Sequence, residues 1–400
     1  MRLGTANTYD NTLANLTDRQ AGLADLQEKL SAGKKVVRAS DDPTGAAQAE
    51  RAMSRISRIE TEQRALSLQI NAVTAAESTL GDATGLLQDI RDLVISAGNA
   101  GYSSVNRTTI AQEMIGLRDQ LFAYANKQDS NGIPLFGSLG SSNLPFTDAT
   151  SGVIFNGIPG QRAGTTVSIP GAMDGQAVWM NVPTGNGVYS VALGGTNAGR
   201  AWSDQGQVVD PSLVTGDNYT LTFTVDTTVT PNVTTYDVVN TTAGGAVLSA
   251  QPFKDGQSIQ FDGLSFTARG IPATGDSLEI APSVRSNLFK VLDDAIAGIK
   301  GASNSNTLTQ AITLALTQID TGMERVQSAR GQAGDLLKRA DNIASNQQVK
   351  SDQVTTDRSR AEDMDMVKGI SDFQNQQTGY DAALRTYAQV QRLSLFNYLG

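Results

Sequence analysis

Apolar and glutamine side chains recur at alternating steps of three and four residues at both ends of this 400-residue chain. This spacing is the heptad seam of helices that wind around one another. The seam residues are Leu13, Leu16, Gln20, Leu23, Gln27 and Leu30 at the start, and Met366, Ile370, Phe373, Gln377, Tyr380, Leu384, Tyr387 and Gln391 at the end. Both ends are therefore predicted to be partner helices, which is typical of an assembly subunit rather than a catalyst.

The chain contains neither histidine nor cysteine. Without them, zinc sites, thiol chemistry and Ser–His–Asp triads are excluded, although carboxylate chemistry and oxygen-ligated metals stay formally possible. The formal charge of −9 comes without a run of Lys or Arg, so we expect neither nucleic acid nor membrane as a partner. The start also lacks the pattern of a conventional signal peptide.

Helical periodicity lies on both sides of a segment of different composition. Apolar residues at helical spacing predict helices over about 45–98 and 104–127, a short one after Pro282 and a very long one from about 306, whose stripe weakens over 350–362. The intervening segment is rich in Gly, Thr and Ser, and its β-type runs predict an all-β insert of two packed sheets or a small barrel. These runs are 153–156, 165–169, 177–182, 188–193, 218–225, 258–261 and 264–268.

The predicted fold class is α+β multidomain, with discontinuous long-helix domains made from both ends of the chain and an inserted β domain. Residues 1–40 with 361–400 form the terminal coiled-coil assembly domain. Residues 41–140 with 284–360 form a helical domain, and residues 141–283 form the β insert. The helical domains are discontinuous because their halves meet only when the two chain ends pack together.

Two adjacent carboxylates, Asp41 and Asp42, stand directly before Pro43 and Gly45. Such a pair could bind Mg²⁺ or Ca²⁺. The plainer interpretation is a helix start, in which Asp42 caps free N–H groups and Pro43 takes the first helical position. We favour the helix start because no further carboxylates lie nearby at ligand spacing.

The last turns of the chain are apolar on every side of a predicted helix, and a helix of this kind must be buried all round. We expect burial between neighbouring subunits, with docking into the chain's own β domain as the alternative. The residues concerned are Val390, Leu393, Leu395, Phe396, Tyr398 and Leu399.

Three segments together resemble the flagellin superfamily. LSAGKKVVRASDDPTGAA (30–47) resembles its N-terminal signature, and NRTTIAQEMIGLRDQLFAYANKQDSNGIPLFGS (106–138) resembles its spoke helix and Asn-Gly turn. QTGYDAALRTYAQVQRLSLFNYLG (377–400) resembles its C-terminal seam. The likeness covers about 1–137 and 285–400 and leaves out the middle of the chain.

Two details are similar to the hook–filament junction branch of the superfamily. The Leu-Phe-Gly after the turn is one, and the ending LSLFNYLG is the other. The sequence departs from that branch at Ile133, Pro134, Ser138, Asn397 and Gly400.

The resemblance implies a structural role outside the cell. It implies an extracellular ring of like subunits in the bacterial flagellum, with the β insert facing outward. Partners would be a neighbouring hook-associated protein on the hook side and flagellin or a second junction layer on the filament side. Type III export without a cleaved signal peptide is also implied, with a cytoplasmic chaperone on the C-terminal helix.

Three alternatives remain open from the sequence. The chain could be a flagellin-like filament subunit, or its β insert could bind a surface ligand. A carboxylate-based glycosidase is the third, although Glu279 is the only glutamate within 140–284.

Overall fold

The computed structural model describes residues 5–140, 144–150 and 152–396, and for 5–9 and 390–396 it describes the backbone alone. The helices in the described part are α1 (Thr5–Ala32), α2 (Pro43–Ala97), α3 (Ser104–Ala125), α4 (Gly175–Trp179), α5 (Leu288–Gly301), α6 (Ser305–Glu362) and α7 (Met366–Phe396). The strands are β1 (Phe146–Ala149), β2 (Gly152–Phe155), β3 (Val182–Pro183), β4 (Tyr189–Leu193), β5 (Arg200–Ser203), β6 (Gln207–Val208), β7 (Tyr219–Asp226), β8 (Val233–Asn240), β9 (Ala246–Pro252), β10 (Ser258–Phe261), β11 (Leu264–Ile271), β12 (Ser277–Pro282) and β13 (Arg285–Ser286).

Long helices at both ends enclose an all-antiparallel β region in the order of the chain, and the predicted fold class is confirmed. Helix α6 continues without a break through 350–362, where its apolar stripe weakens. That segment is polar, but it contains neither Gly nor Pro. Val354 and Ala361 still turn away from solvent there, so one apolar edge is enough to keep the helix packed.

The chain divides into two compact units. Unit 1 consists of Met1–Ala65 with Ile343–Gly400, and unit 2 consists of Leu66–Asn342. Unit 1 is made of two separate stretches of the chain, whereas unit 2 is one continuous stretch. The three-part domain division proposed from the sequence stays a prediction.

Two antiparallel sheets pack face to face in the β region of unit 2. One has the strand order β4-β12-β7-β8-β9, and the other has the order β10-β11-β5, with β6 also paired to β11. Strand β7 shows the alternation expected of a half-buried strand, with Tyr219, Leu221 and Phe223 buried. These side chains share one core with Phe261 and Phe266 of the second sheet. The β region is therefore a sandwich.

Two of the predicted strands are wrong. Residues 165–169 form a bend, because the Thr165 hydroxyl lies 2.7 Å from that of Ser168 and also accepts from Val167 N. Residues 175–179 form helix α4, and Asp174 caps it by accepting from the backbone N–H groups of the second and third helical residues. The apolar Val-Trp pair there is buried in a helix rather than alternating along a strand.

An aromatic cluster in unit 2 joins α3, α5, α4 and the β1–β2 hairpin. The ring of Phe289 lies 5.7 Å from Phe122, 6.4 Å from Phe146 and 6.2 Å from Trp179, measured between centroids. Edge and tilted contacts at these separations add to the apolar burial. Phe289 is thus the ring that the surrounding elements share.

Arg118 is the charged residue of this cluster, and it is only 7% exposed. Its guanidinium donates to Asp148, and its Nε donates to Asp293 at 3.0 Å, while its Cζ lies 5.8 Å from the centre of the Phe289 ring. Burial alone would lower the pKa of Arg118, but the hydrogen bonds to Asp148 and Asp293 raise it above the ordinary value. Arg118 therefore stays charged and ties α3 to both α5 and β1.

We predict that Arg118→Ala lowers the free energy of unfolding by about 2 kcal/mol, since it removes the shared donor and the cation–π contact. The loss should stay below that of a fully buried ion pair because both partner carboxylates are partly exposed. Urea unfolding followed by circular dichroism measures the change. Arg325→Ala, at an exposed position of α6, is the control and should change stability by less than ~0.5 kcal/mol.

Candidate assembly surface

The first and last described helices, α1 and α7, pack against each other within unit 1. A Cβ placed on Gly369 would lie 3.3 Å from Leu30 Cδ1, and one placed on Gly379 would lie 2.7 Å from Arg19 Nη1. The partner numbers rise on one helix as they fall on the other, so the pair is antiparallel. The glycines leave room for these side chains of the partner helix.

One row of seam residues on each helix turns toward the partner helix and is partly buried. We call these residues the inner row, and they repeat every seven positions, as a coiled-coil seam does. The inner row consists of Leu16, Leu23, Leu30, Phe373, Tyr380 and Tyr387.

The other row of seam residues is exposed. Leu13 is 47% exposed, Ile370 44% and Leu384 41%, although all three stand at seam spacing. Glutamines continue the same row on both helices. The outer row consists of Leu13, Gln20, Gln27, Ile370, Gln377 and Leu384. The apolar side chains of this row are thus only about half covered within the described part of one chain.

The sequence pattern did not identify every residue in the helix pair. Leu26 is partly buried on α1 although it falls outside the seam spacing. Gly369 and Gly379 leave room for Leu30 and Arg19 of α1, and a signal for the glycines was present, because each directly precedes a seam residue. The predicted roles of the seam residues stay predictions. The predicted burial of the last turns stays a prediction. It falls outside the described residues, because the side chains of Val390, Leu393, Leu395 and Phe396, and all of Tyr398 and Leu399, are not described.

A short backbone contact holds the base of the helix pair, where the α1–α2 connection meets the end of α6. The N–H of Lys35 donates to Glu362 O at 2.8 Å, and the N–H of Met364 donates to Gly33 O at 3.0 Å. Lys34 Nζ lies 3.2 Å from Glu362 Oε1. We call residues 33–36 with 362–364 the joint. It fixes where α7 starts relative to the end of α1.

Asp41 and Asp42 shape the chain between the joint and α2. Asp41 Oδ2 accepts from the N–H groups of Val37 and Arg38 and so closes a turn. Asp42 Oδ1 accepts from the hydroxyl of Thr44 at 2.6 Å and from its N–H at 3.0 Å, at the start of α2. The hydrogen bond from the Arg38 N–H lowers the pKa of Asp41, and the one from the Thr44 hydroxyl lowers that of Asp42.

The described residues contain no group of three or more carboxylates placed to hold a metal ion. Glu279 points to solvent from β12. In the part of the chain that is described, no helix is long and apolar enough to cross a membrane.

Two family models match the chain. The bacterial flagellin N-terminal helical region matches residues 4–139, and the bacterial flagellin C-terminal helical region matches residues 316–399. The two matches include α1, α7 and the joint, and they leave out the β sandwich.

Individual relatives give a consistent result. Flagellar hook-associated protein 3 of Salmonella typhimurium is 33% identical over 38% of this chain and 48% of its own length. The chain thus spans about half the length of such curated relatives. The flagellar junction protein FlgL from Legionella pneumophila is similar in structure, with a TM-score of 0.68 and 28% identity over 74% of this chain and 99% of that one. Polar flagellin F of Vibrio parahaemolyticus is 23% identical over 94% of this chain and 93% of its own.

We predict that Gly45→Ala destabilises the protein, although a helical Gly→Ala change normally stabilises by up to about 1 kcal/mol. An added Cβ would lie 2.6 Å from Asp42 Oδ2 and 3.2 Å from the Ala361 carbonyl oxygen, so either the cap or α6 must move. Gly85→Ala in the same helix is the control, because a Cβ there has open space. Thermal unfolding should show opposite shifts, and a stabilised Gly45→Ala would contradict the close packing of the α2 start.

Proposed function

Since the chain belongs to the flagellin superfamily, we propose that it is a structural subunit of the bacterial flagellum that forms a ring joining the hook to the filament. The outer row carries this proposal. Its exposed apolar residues on α1 and α7 are covered when copies of the chain pack side by side. Burial of these residues drives assembly without a reaction, a cofactor or a metal.

The apolar surface of the outer row determines how strongly copies of the chain associate. Each of Leu13, Ile370 and Leu384 is close to half exposed, so covering it is worth on the order of 1 kcal/mol. Three such contacts do not exceed the ~4–15 kcal/mol that association costs because each copy loses translational and rotational freedom. Two isolated copies are therefore held weakly. A ring in which each copy is covered on both sides multiplies the contacts and is stable.

The choice of a junction subunit rests on likeness to named relatives. The Legionella junction protein is matched along nearly its whole length, and the Salmonella relative is a hook-associated protein. A flagellin-like filament subunit is the second candidate, because the Vibrio flagellin aligns over almost all of this chain. The two differ in copy number, which is one short ring for a junction and thousands of copies for a filament.

The proposed partners follow from the position of a junction. A hook-associated protein would lie on one side of the ring, and flagellin or a second junction layer on the other. We also propose an extracellular location, export through the flagellar type III apparatus and a cytoplasmic chaperone on the C-terminal helix. The β sandwich would face outward.

The function is tested in cells that lack this protein. We expect intact hooks without filaments, and flagellin released into the medium, because filament subunits would have no junction on which to polymerise. Electron microscopy and immunoblotting of the medium measure both. Filaments of normal length and number in these cells would contradict a junction role.

We predict that Leu384→Asp blocks assembly while leaving the isolated chain folded. Leu384 is partly exposed in the single chain, so a charge there costs little until a neighbour covers it. Attached filaments should fall by on the order of tenfold or more in cells that carry only this variant. Leu213→Asp is the matched control, at an exposed leucine of the β region, and should assemble as the wild type does. Equal effects of the two variants would contradict the proposal that burial of the outer row drives assembly.

A further inference from the structure

A groove in unit 1 is lined by three arginines. Arg51 and Arg55 line it from α2, and Arg360 and Asp357 line it from α6. Its volume is about 390 Å³, and it is open to solvent. Arg51 and Arg55 are one helical turn apart, so their side chains leave α2 in the same direction.

Some of the other basic residues of unit 1 are balanced by a carboxylate, although Arg58 and Arg64 are not in the part of the chain that is described. Lys29, Lys34 and Arg38 each form an ion pair of 2.8–3.2 Å with a carboxylate. Arg51 and Arg55 have no ion pair within the described residues. Arg360 Nη1 lies 3.8 Å from Asp357 Oδ1, at the outer limit of an ion pair, and both side chains are largely exposed. The groove thus holds more positive charge than its own carboxylate balances.

The opposite charge is present elsewhere in the same chain. Unit 1 has 16 basic and 16 acidic residues, and unit 2 has 15 basic and 24 acidic ones. The net charge of −9 is therefore carried by unit 2 alone. A second copy of this chain offers the acidic surface that the groove lacks.

Helix α2 presents a suitable acidic surface in unit 2. Asp82, Asp89 and Asp92 are exposed and spaced by seven and three residues, so they share one face of the helix. None of the three forms an ion pair within the described part of the chain. A face of three carboxylates at helical spacing matches arginines that are themselves spaced by a helical turn.

We propose that the arginine groove of one copy binds the Asp82–Asp92 face of α2 in a second copy, and this inference rests on the proposed self-assembly. Arginine is suited to the contact because its planar guanidinium binds a carboxylate through two parallel hydrogen bonds. One exposed ion pair contributes little binding free energy, but several ion pairs in the same contact together hold two copies. The contact weakens with added salt, since it is exposed and electrostatic.

Charge reversal tests the contact in the full chain. Arg51→Glu with Arg55→Glu should reduce attached filaments on the order of tenfold, because carboxylates would then face carboxylates. Adding Asp82→Arg and Asp89→Arg should restore them. Arg64→Glu, on the exposed surface of α2 outside the groove, is the control. Wild-type filament numbers with the reversed groove, or no recovery in the fourfold variant, would overturn the proposal.

Crosslinking tests the contact directly, because the natural chain has no cysteine. Arg55→Cys with Asp89→Cys, treated with a short bismaleimide in isolated hook–filament structures, should give a product of twice the 42.1 kDa chain mass. Arg64→Cys with Asp89→Cys should give at most one tenth as much. Equal yields, or a product formed only with a different flagellar protein, would overturn the proposal.

Failure of this contact is distinguishable from failure of the proposed function. If Leu384→Asp stops assembly and the reversed groove does not, self-assembly stands and the groove contact is wrong. If cells without the protein build normal filaments, the junction role is wrong, and the groove contact falls with it.

Discussion

The antiparallel packing of α1 against α7 is the contact on which the arrangement of unit 1 depends. It brings the two ends of the chain together, with Leu30 and Arg19 of α1 beside Gly369 and Gly379 of α7. Each helix of a pair can cover only one side of the other, so only one of the two rows of a seam is buried by the partner helix. The inner row packs and the outer row does not. Because apolar side chains left in water favour further burial, we propose that neighbouring copies complete the pair.

The joint makes this packing specific. Apolar rows alone allow neighbouring registers, since a shift by one heptad presents similar residues. Two backbone hydrogen bonds between the α1–α2 connection and Glu362 or Met364 permit one register only. The turn closed by Asp41 and the capping of α2 by Asp42 order the chain that directly follows residues 33–36 of the joint. Polar contacts therefore decide which seam residues meet, and apolar burial decides how strongly they hold.

The sequence predicts the helices of unit 1 well because their signals are local. Heptad spacing indicates α1 and α7. It does not separate Ile370 from Phe373, because both stand on the seam, and the difference in their burial depends on how α1 packs against α7. In unit 2, Trp179 lies in a run of β-forming residues, yet it is helical because Asp174 caps that turn and aromatic rings surround its side chain. The partners of Arg118 could not be predicted from the sequence, because Asp148 and Asp293 come from distant parts of the chain.

Charge and apolar surface would act at different stages of assembly. Electrostatic attraction reaches about 8 Å at physiological salt, so the arginine groove acts before any atoms touch and orients an approaching copy. The outer row acts only in contact, and its few kcal/mol do not hold a wrongly oriented pair. A subunit with a strong apolar surface would aggregate before it was built in. One with weak apolar rows and an oriented charge contact associates only where several neighbours are already in place, and this restricts assembly to the end of a growing structure.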